Sequence, residues 1–427
     1  MKASAGRVLM LVENNFPADT RVRNEASTLV ANGYRVTVVA LRAPGERPHE
    51  VVDGVIVYRI PRLTVFGKLP AAKPTGFGKL LHKLRVFVGY TTEYSYFTSA
   101  CLAVSLYVLV TDGFDVIHAH NPPDTLVVVA AVHKLLGRKS VFDHHDLSPE
   151  LYLSRYRTNV EGLVTRGLRL LEKLSVRCAD VVIATNESYR NIDIERNGAA
   201  AERVFIVRNG PDSTRVRLST PDERLRSMNK KILVYVGAMN PQDGVEHLLV
   251  ALTHLLHDLK RTDFYCVLIG SGDSVPALRA QAAALGVDDH VLFTGFIPDA
   301  DLLRYLSTAD ICLDPNPSSP LNDVSTWIKV MEYMALSKPI VSFDLKETRV
   351  SARDAAVYVT PNNEAEFAAA IATLMDDPAR RAEMGRCGRL RVATELGWHV
   401  TSQNLVRAYE VLFERIGLRE AGSTAVS

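Results

Sequence analysis

The sequence predicts two parallel-sheet α/β domains in tandem, and three observations predict it. Short β-branched runs alternate with helical runs, as in βαβ units. The alternation stops once, in a polar, proline-containing stretch, and then restarts. The chain has 427 residues, too many for one comfortable core. With 47% hydrophobic and 23% charged residues it has the composition of a folded protein. A net charge of +2 excludes bulk attraction to nucleic acid, so any electrostatic message is local.

In the first half the strand candidates are Val8–Val12, Arg35–Ala40, Val55–Arg59, Val116–Ala119, Ser140–Asp143, Val181–Thr185 and Val204–Val207. Helices are expected at Arg21–Asn32, Thr125–Leu136, Gly162–Ala179 and Tyr189–Arg196. The break near Arg208-Asn209-Gly210-Pro211-Asp212 ends this domain, taken as residues 1–210, and opens a linker over 211–230. A second domain, 231–400, follows. Its strands are Ile232–Val236, Phe264–Ile269, Val291–Phe293, Ile311–Asp314, Ile340–Phe343 and Ala356–Val359. Its helices are Val245–Asp258, Pro276–Leu285, Asp299–Thr308, Ser325–Ala335, Glu364–Leu374 and Pro378–Glu395. Residues 401–427 give a last helix, Ser402–Ile416, expected to pack back on the first domain, and a frayed tail from Arg419.

Five cysteines, Cys101, Cys178, Cys266, Cys312 and Cys387, lack metal-ligand spacing and read as reduced structural thiols. The apolar run after Arg7 is too short for a signal peptide, and no run of about 20 apolar residues is uninterrupted. The closest, Tyr96 to Val110, fits a buried helix. A cytoplasmic location is expected.

Ligands of open α/β sheets bind beyond the carboxyl ends of the strands. In the second domain those ends carry Gly237, Gly270-Ser271-Gly272-Asp273, Thr294-Gly295-Phe296 and Asp314-Pro315-Asn316. Glycines there let a ligand approach the backbone and expose amide donors, although plain turn chemistry places glycine in such turns too. The strongest signal is the segment Pro320–Ala335. Ser325 or Thr326 is expected to cap a helix whose first amides attract phosphate. Lys329 and Glu332 are three apart and share a face. A carboxylate between Met331 and Tyr333 needs donors, which a sugar hydroxyl pair supplies. The alternative is a surface Lys329–Glu332 ion pair, worth little.

At these residues the chain resembles family 4 of the retaining GT-B glycosyltransferases. The resemblance rests on Met331-Glu332-Tyr333-Met334-Ala335-Leu336-Ser337-Lys338-Pro339, Gly270-Ser271-Gly272-Asp273, Phe293-Thr294-Gly295-Phe296-Ile297-Pro298, Asn209-Gly210-Pro211-Asp212 and His118-Ala119-His120-Asn121. It implies the GT-B fold, two Rossmann-like parallel-sheet domains facing an interdomain cleft. It implies a nucleotide-sugar donor, UDP-linked, in the second domain and a lipid-linked or glycan acceptor in the first. Glu332 would hold the donor ribose, Thr294–Phe296 would frame the base, Gly270 and Ser271 would approach the nucleotide, and Ser325 and Thr326 would meet the diphosphate. No cofactor, metal or nucleic acid is implied. Surface polysaccharide or glycolipid assembly is the implied setting.

Two departures qualify the match. Val324 stands where the family's Glu-x7-Glu run has its first glutamate, with Asn322 and Asp323 beside it as polar substitutes. The run Gly237–Gly244 lacks the basic pair that often meets the phosphates. A leaving diphosphate needs neutralising charge. Lys329 is assigned to it, with Arg21 or Arg23 assisting.

On the acceptor side, Asp19, Arg21 and Arg23 open the first helix, either as a cap with an exposed basic face or as binding residues. His120 ends a strand where a neutral imidazole could bond sugar or acceptor. Asp146 and Glu150 follow Asp143-His144-His145. Adjacent histidines on an extended chain face opposite ways, so this run reads as no metal site. No acidic residue falls between Asp53 and Glu93, while Arg59, Arg62, Lys68, Lys73, Lys79, Lys83 and Arg85 interleave with Phe66, Leu69, Phe77, Leu80, Leu81, Leu84, Phe87 and Val88. Residues 59–88 therefore read as a basic, apolar contact with the inner-membrane surface, or as a solvated loop over the core. Two other classes share these features: an epimerase or hydrolase acting on the nucleotide sugar alone, and a non-catalytic sugar-nucleotide-binding relative.

Overall fold

A computed structural model describes residues 6–64, 77–155 and 162–424, with side chains described through 414 except at 77–84, 86, 87, 90 and 155. Two compact units emerge. The first comprises Met1–Tyr152, Asn159–Val207 and Ser402–Ser427, and the second Leu153–Thr158 and Arg208–Thr401.

The first unit is an eight-stranded sheet: β1 (Arg7–Asn15), β2 (Arg35–Arg42), β3 (His49–Val52), β4 (Val55–Pro61), β5 (Val116–His120), β6 (Lys139–His144), β7 (Val181–Ala184) and β8 (Val204–Ile206). Its order is β3-β4-β2-β1-β5-β6-β7-β8. Every pairing is parallel except β3 against β4. Val8, Leu9, Met10 and Leu11 are almost fully buried because helices cover both faces, which is why parallel strands read as continuous apolar runs. β3 escaped the sequence reading because His49-Glu50-Val51-Val52 lies on an edge and buries little. Strand order reverses at β1, whose neighbours are β2 and β5. That switch point puts the carboxyl ends of β1 and β5 side by side.

The second unit repeats the plan in six parallel strands: β9 (Lys231–Val236), β10 (Phe264–Ile269), β11 (Val291–Gly295), β12 (Ile311–Asp314), β13 (Ile340–Phe343) and β14 (Ala356–Val359). Its order, β11-β10-β9-β12-β13-β14, sets the switch point between β9 and β12. Tyr235, Leu268, Leu313 and Phe343 fill the core on one face, and Val234, Cys312, Tyr333 and Ile340 fill it on the other. All five cysteines are free.

Several expectations need correction. The stretch 211–230 is no free tether. Ser219 N bonds Ser307 Oγ at 2.8 Å, Asp222 N bonds Thr308 Oγ1 at 2.7 Å, and Asp222 caps a short helix, Glu223–Ser227, that buries Leu225. Helices Ser148–Arg155 and Lys346–Ala352 were not foreseen, and the last helix runs from Trp398 to Thr424, through most of the expected tail. Helix Phe77–Thr111 is 35 residues long, and its stretch Thr91–Thr111 is long and apolar enough to cross a membrane. Only one face is buried: Phe97, Cys101 and Val108 join the core of the first unit, while Tyr107 and Val110 are exposed. Of the basic segment, Lys68, Lys73, Phe66 and Leu69 lie outside the described residues. Arg59 cannot face a membrane. It is 5% exposed, pairs with Glu46 at 3.1 Å and Glu50 at 2.6 Å, and donates to Phe16 O at 3.0 Å.

Candidate functional site

In the second unit the ends of β9 and β10 interlock. Met239 N donates to Ser271 O at 3.0 Å, and Ser274 N to Met239 O at 3.0 Å. Gly270, at φ 132°, is required: a Cβ there would stand 1.9 Å from the Gly237 carbonyl oxygen. Gly237, at φ 153°, packs against the Tyr235 ring and the Lys329 stem. The exposed side of this edge presents Ser271 and the Phe296 ring, which is 87% exposed after Gly295.

The helix after β12 is Ile328–Ala335, with Trp327 at its N-cap and no side-chain cap. Ser325 and Thr326 do not cap it, contrary to expectation. Residues Asn322–Val324 form a 3-10 turn, and Ser325 Oγ donates back to Leu321 O at 2.7 Å. The first-turn amides are thus those from Ile328 onward. Lys329 is 7% exposed; its ammonium lies 3.2 Å from Asp314 Oδ1, bonds Asn316 Oδ1, and sits 4.6 Å from the Tyr235 ring centre. The lysine assigned to a leaving group is therefore already matched to a buried carboxylate. Asn322 Nδ2 is committed to Gln242 O and Pro317 O at 2.9 and 2.8 Å, which leaves its buried Oδ1 without a bond. Half-buried Asp323 accepts from Ser318 Oγ at 3.2 Å.

Glu332 stands apart. It is half-buried, and its carboxylate, unlike its backbone carbonyl, takes part in no close ion pair or hydrogen bond among the described residues. Burial, reinforced by the Asp299 charge and opposed by Arg215, pushes its carboxyl up to about 7. Such a group accepts hydroxyl donors at little desolvation cost, since the protein has already desolvated it.

In the first unit the switch point is organised by Asp143, at the end of β6. Arg21 Nε and Nη2 each reach it at 2.6 Å, His120 Nδ1 at 2.8 Å and His145 Nδ1 at 3.2 Å. Burial alone would raise the Asp143 carboxyl, but the Arg21 charge, joined by His145 and the hydrogen bonds from His120 and His145, holds it well below the usual range. Arg21 is thus no phosphate partner at rest; it also donates to Val207 O at 3.0 Å. His120 is 1% exposed, and burial pulls its imidazole down. Its Nε2 faces the interior beside Glu25, so it does not offer a nitrogen to an outside ligand.

His145 does, with its side chain 18% exposed. Burial lowers it, yet the Asp143 charge and hydrogen bond leave its titration raised. The alternation read for His144 and His145 holds: His144 turns the other way, to Asp193 Oδ1 at 2.7 Å. Asp19 caps its helix through Val22 N at 3.0 Å, and Arg23 Nη1 donates to Pro17 O at 3.2 Å. Half-buried Asp146 is raised by burial and accepts at its carbonyl from Asn121 Nδ2 at 2.6 Å. Glu150 is 7% exposed and paired with Arg196 at 2.5 Å, so its carboxylate is already engaged.

Sequence reasoning missed Glu25, Asp143 as a hub and His118. The signal was there in His-x-His, since alternate residues of a strand share a face. The metal reading had attended to the adjacent pair instead. Glu25, His118, His120 and Asp143 bring ligand atoms within 4.8 Å of one another.

Comparison with known proteins matches residues 18–210 to the glycosyl transferase 4-like domain and residues 230–377 to the glycosyl transferases group 1 family. Glycogen synthase of Mycobacterium tuberculosis (strain CDC 1551 / Oshkosh) is 25% identical over 300 residues, 69% of this chain and 68% of the relative. Sucrose-phosphate synthase from Thermosynechococcus elongatus superposes with a TM-score of 0.71 at 19% identity, covering 96% of this chain and 100% of that one. HepE from Anabaena, solved in complex with UDP and glucose, gives 0.69 at 18% identity, covering 95% and 99%. Together the two family matches take in the first sheet from β2 onward and the whole of the second, and the chain is a glycosyltransferase of the GT-B fold.

Proposed function

We propose that this enzyme is a retaining family 4 transferase that moves a sugar from a UDP-linked donor in the second unit to a hydroxyl of a glycan or lipid-linked acceptor in the first. One observation carries the donor half: Glu332 is desolvated, pushed up to about 7 and unengaged, within the run that resembles the family's ribose-binding glutamate. A ribose hydroxyl pair would supply the two donors it lacks. The exposed Phe296 ring would lie against the base, and the backbone at Gly237, Gly270 and Ser271 would border the nucleotide. The amides opening helix Ile328–Ala335 would face the diphosphate. Because Lys329 is balanced by Asp314, these amides rather than a free ammonium would carry the stabilisation of the leaving group.

The departing diphosphate would take the acceptor proton on the face it leaves, which retains the anomeric configuration. His145 would hold the acceptor or the sugar, with Asp143 orienting its ring. Asp19, Arg23 and Asp146 remain candidates around it. The UDP bound by HepE supports the uridine reading, and the glycogen synthase relative supports a glycan acceptor. Surface polysaccharide or glycolipid synthesis at the cytoplasmic face of the membrane is the setting we favour. The test is a panel of nucleoside diphosphate sugars, scored for nucleoside diphosphate release with and without oligosaccharide or membrane-lipid acceptors. Acceptor-dependent release from UDP-sugars is expected. Equal release without any acceptor would replace this reading by hydrolysis or epimerisation.

A further inference from the structure

β5 sets His118 and His120 two residues apart, so both rings leave the same face of the sheet and stack at 4.2 Å between centres, 26° from parallel. The helix Thr20–Ala31 lays Glu25 on that face. All three side chains are fully buried. Glu25 Oε2 lies 3.8 Å from His118 Nε2 and 4.0 Å from His120 Nε2. None of these three atoms has a hydrogen-bond partner among the described residues, and the gaps are too long for hydrogen bonds among themselves. Three buried polar atoms thus lie close together without partners, which is costly unless something joins them.

We propose that this point is a site for one divalent transition-metal ion of the zinc type, held by His118 Nε2, His120 Nε2 and Glu25 Oε2. Two imidazoles and a carboxylate are a ligand set that zinc accepts, with bonds near 2.0–2.2 Å. Tetrahedral bonds of that length put ligand atoms about 3.4 Å apart, so the two Glu25–His gaps of 3.8 and 4.0 Å close by about half an ångström while the stacked rings turn to bring both Nε2 atoms onto the ion. The outer shell is already built. Each ligating ring has its other nitrogen held: His120 Nδ1 by the Asp143 carboxylate at 2.8 Å, and His118 Nδ1 by the Tyr409 hydroxyl at 2.9 Å. The carboxylate sets the His120 tautomer that leaves Nε2 free to ligate, and the Tyr409 hydroxyl does the same for His118 when it accepts from Nδ1.

Charge points the same way. Arg21 is the one guanidinium between two buried carboxylates, bidentate to Asp143 and 3.2 Å from Glu25 Oε1. With His145 neutral, one negative charge is left over, to be met by a proton on Glu25 or by a cation. A proton satisfies one oxygen and leaves both Nε2 atoms unbridged, whereas an ion satisfies all three. With every ligand buried, the ion would pin the first helix to β5 and hold the Asp143–His145 pair in place from behind.

The test uses tag-free full-length protein, stripped with chelator and titrated with Zn2+ and, separately, Co2+. One zinc per chain by mass spectrometry, visible Co2+ bands and a rise in Tm are expected. Glu25→Gln keeps the shape and should bind at least a hundredfold more weakly. If that variant fails to fold, histidine 15N shifts in the wild type decide, with Nε2 of both rings moving on zinc addition. A wild-type protein that retains no zinc and gives no cobalt bands overturns the proposal, as does undiminished binding by folded Glu25→Gln. Either result would leave Glu25 as a buried protonated acid.

Discussion

The Lys329 ammonium stands 3.2 Å from Asp314 Oδ1, and both side chains are almost wholly withdrawn from solvent. The pair ties the helix Ile328–Ala335 to the carboxyl end of β12, beside the glycine turns of β9 and β10. Lys329 thereby holds the floor of the candidate donor site. Removing one member of such a pair strands the other charge, at a cost of about 3–5 kcal/mol. Lys329→Ala is expected to lose that much in denaturant unfolding, with turnover falling alongside. Lys329→Met combined with Asp314→Asn should recover most of the stability. If Lys329→Ala unfolds like wild type, the pair is not structural.

Glu332 gives a pH signature. Its carboxyl is raised from 4.5 to about 7, so the folded chain favours the protonated form. The stability it contributes is complete below about pH 4.5 and is lost as pH rises through about 7. Donor binding should run the other way, because the ionised form accepts two hydroxyl bonds. The KM for UDP-sugar is expected to fall several-fold between about pH 6 and 8. Glu332→Gln should flatten both profiles, melt higher than wild type above pH 7, and raise KM roughly tenfold or more. Thermal melts and donor kinetics across that range check it.

Two glycines at neighbouring strand ends should respond differently. Gly270→Ala drives a Cβ to 1.9 Å from the Gly237 carbonyl, so the interlocked turns must part. A loss of about 3 kcal/mol and of donor binding is expected. Gly295, at φ 71°, has nothing within 4 Å of an added Cβ, so Gly295→Ala carries only the left-handed penalty of about 1 kcal/mol. Parallel unfolding curves distinguish them.

Phe296 exposes 87% of its surface, so Phe296→Ala should leave Tm unchanged. If the ring lies against the donor base, KM should rise about fivefold with kcat held. A KM equal to wild type would remove Phe296 from the site.

His145→Gln should act on the acceptor step. Folding should survive because the ring is partly exposed, while kcat/KM for the acceptor falls about a hundredfold and UDP affinity stays as it was. Isothermal titration with UDP, set beside acceptor kinetics, separates the two effects.

Much of the architecture was legible. β10, β12, β13 and β14 stand where the apolar runs stood, because strands covered on both faces by helices need unbroken apolar sequence. The strand-end turns with Gly237, Gly270 and Gly295 were equally readable. Their positive φ values suit glycine, and at Gly237 and Gly270 close packing excludes a side chain as well. The start of helix Ile328–Ala335 was misread. Ser325 is a good cap by residue type, but its hydroxyl is captured by Leu321 O in a 3-10 turn that local preference does not foretell. The edge strand β3 and the packed stretch after Pro211 were missed because each takes its structure from neighbours distant in sequence.

The chemistry divides along the same line. By itself the sequence determined two wound parallel sheets, the glycine-lined strand ends and a carboxylate at position 332 in an apolar setting, since each is written in local pattern. Only the tertiary structure decided that Arg21 meets Asp143 across 122 positions, that Lys329 is matched by Asp314, and that His118, His120 and Glu25 share a buried point. Whether a charged side chain is free or paired depends on partners that the fold brings from far along the chain. No local spacing encodes them.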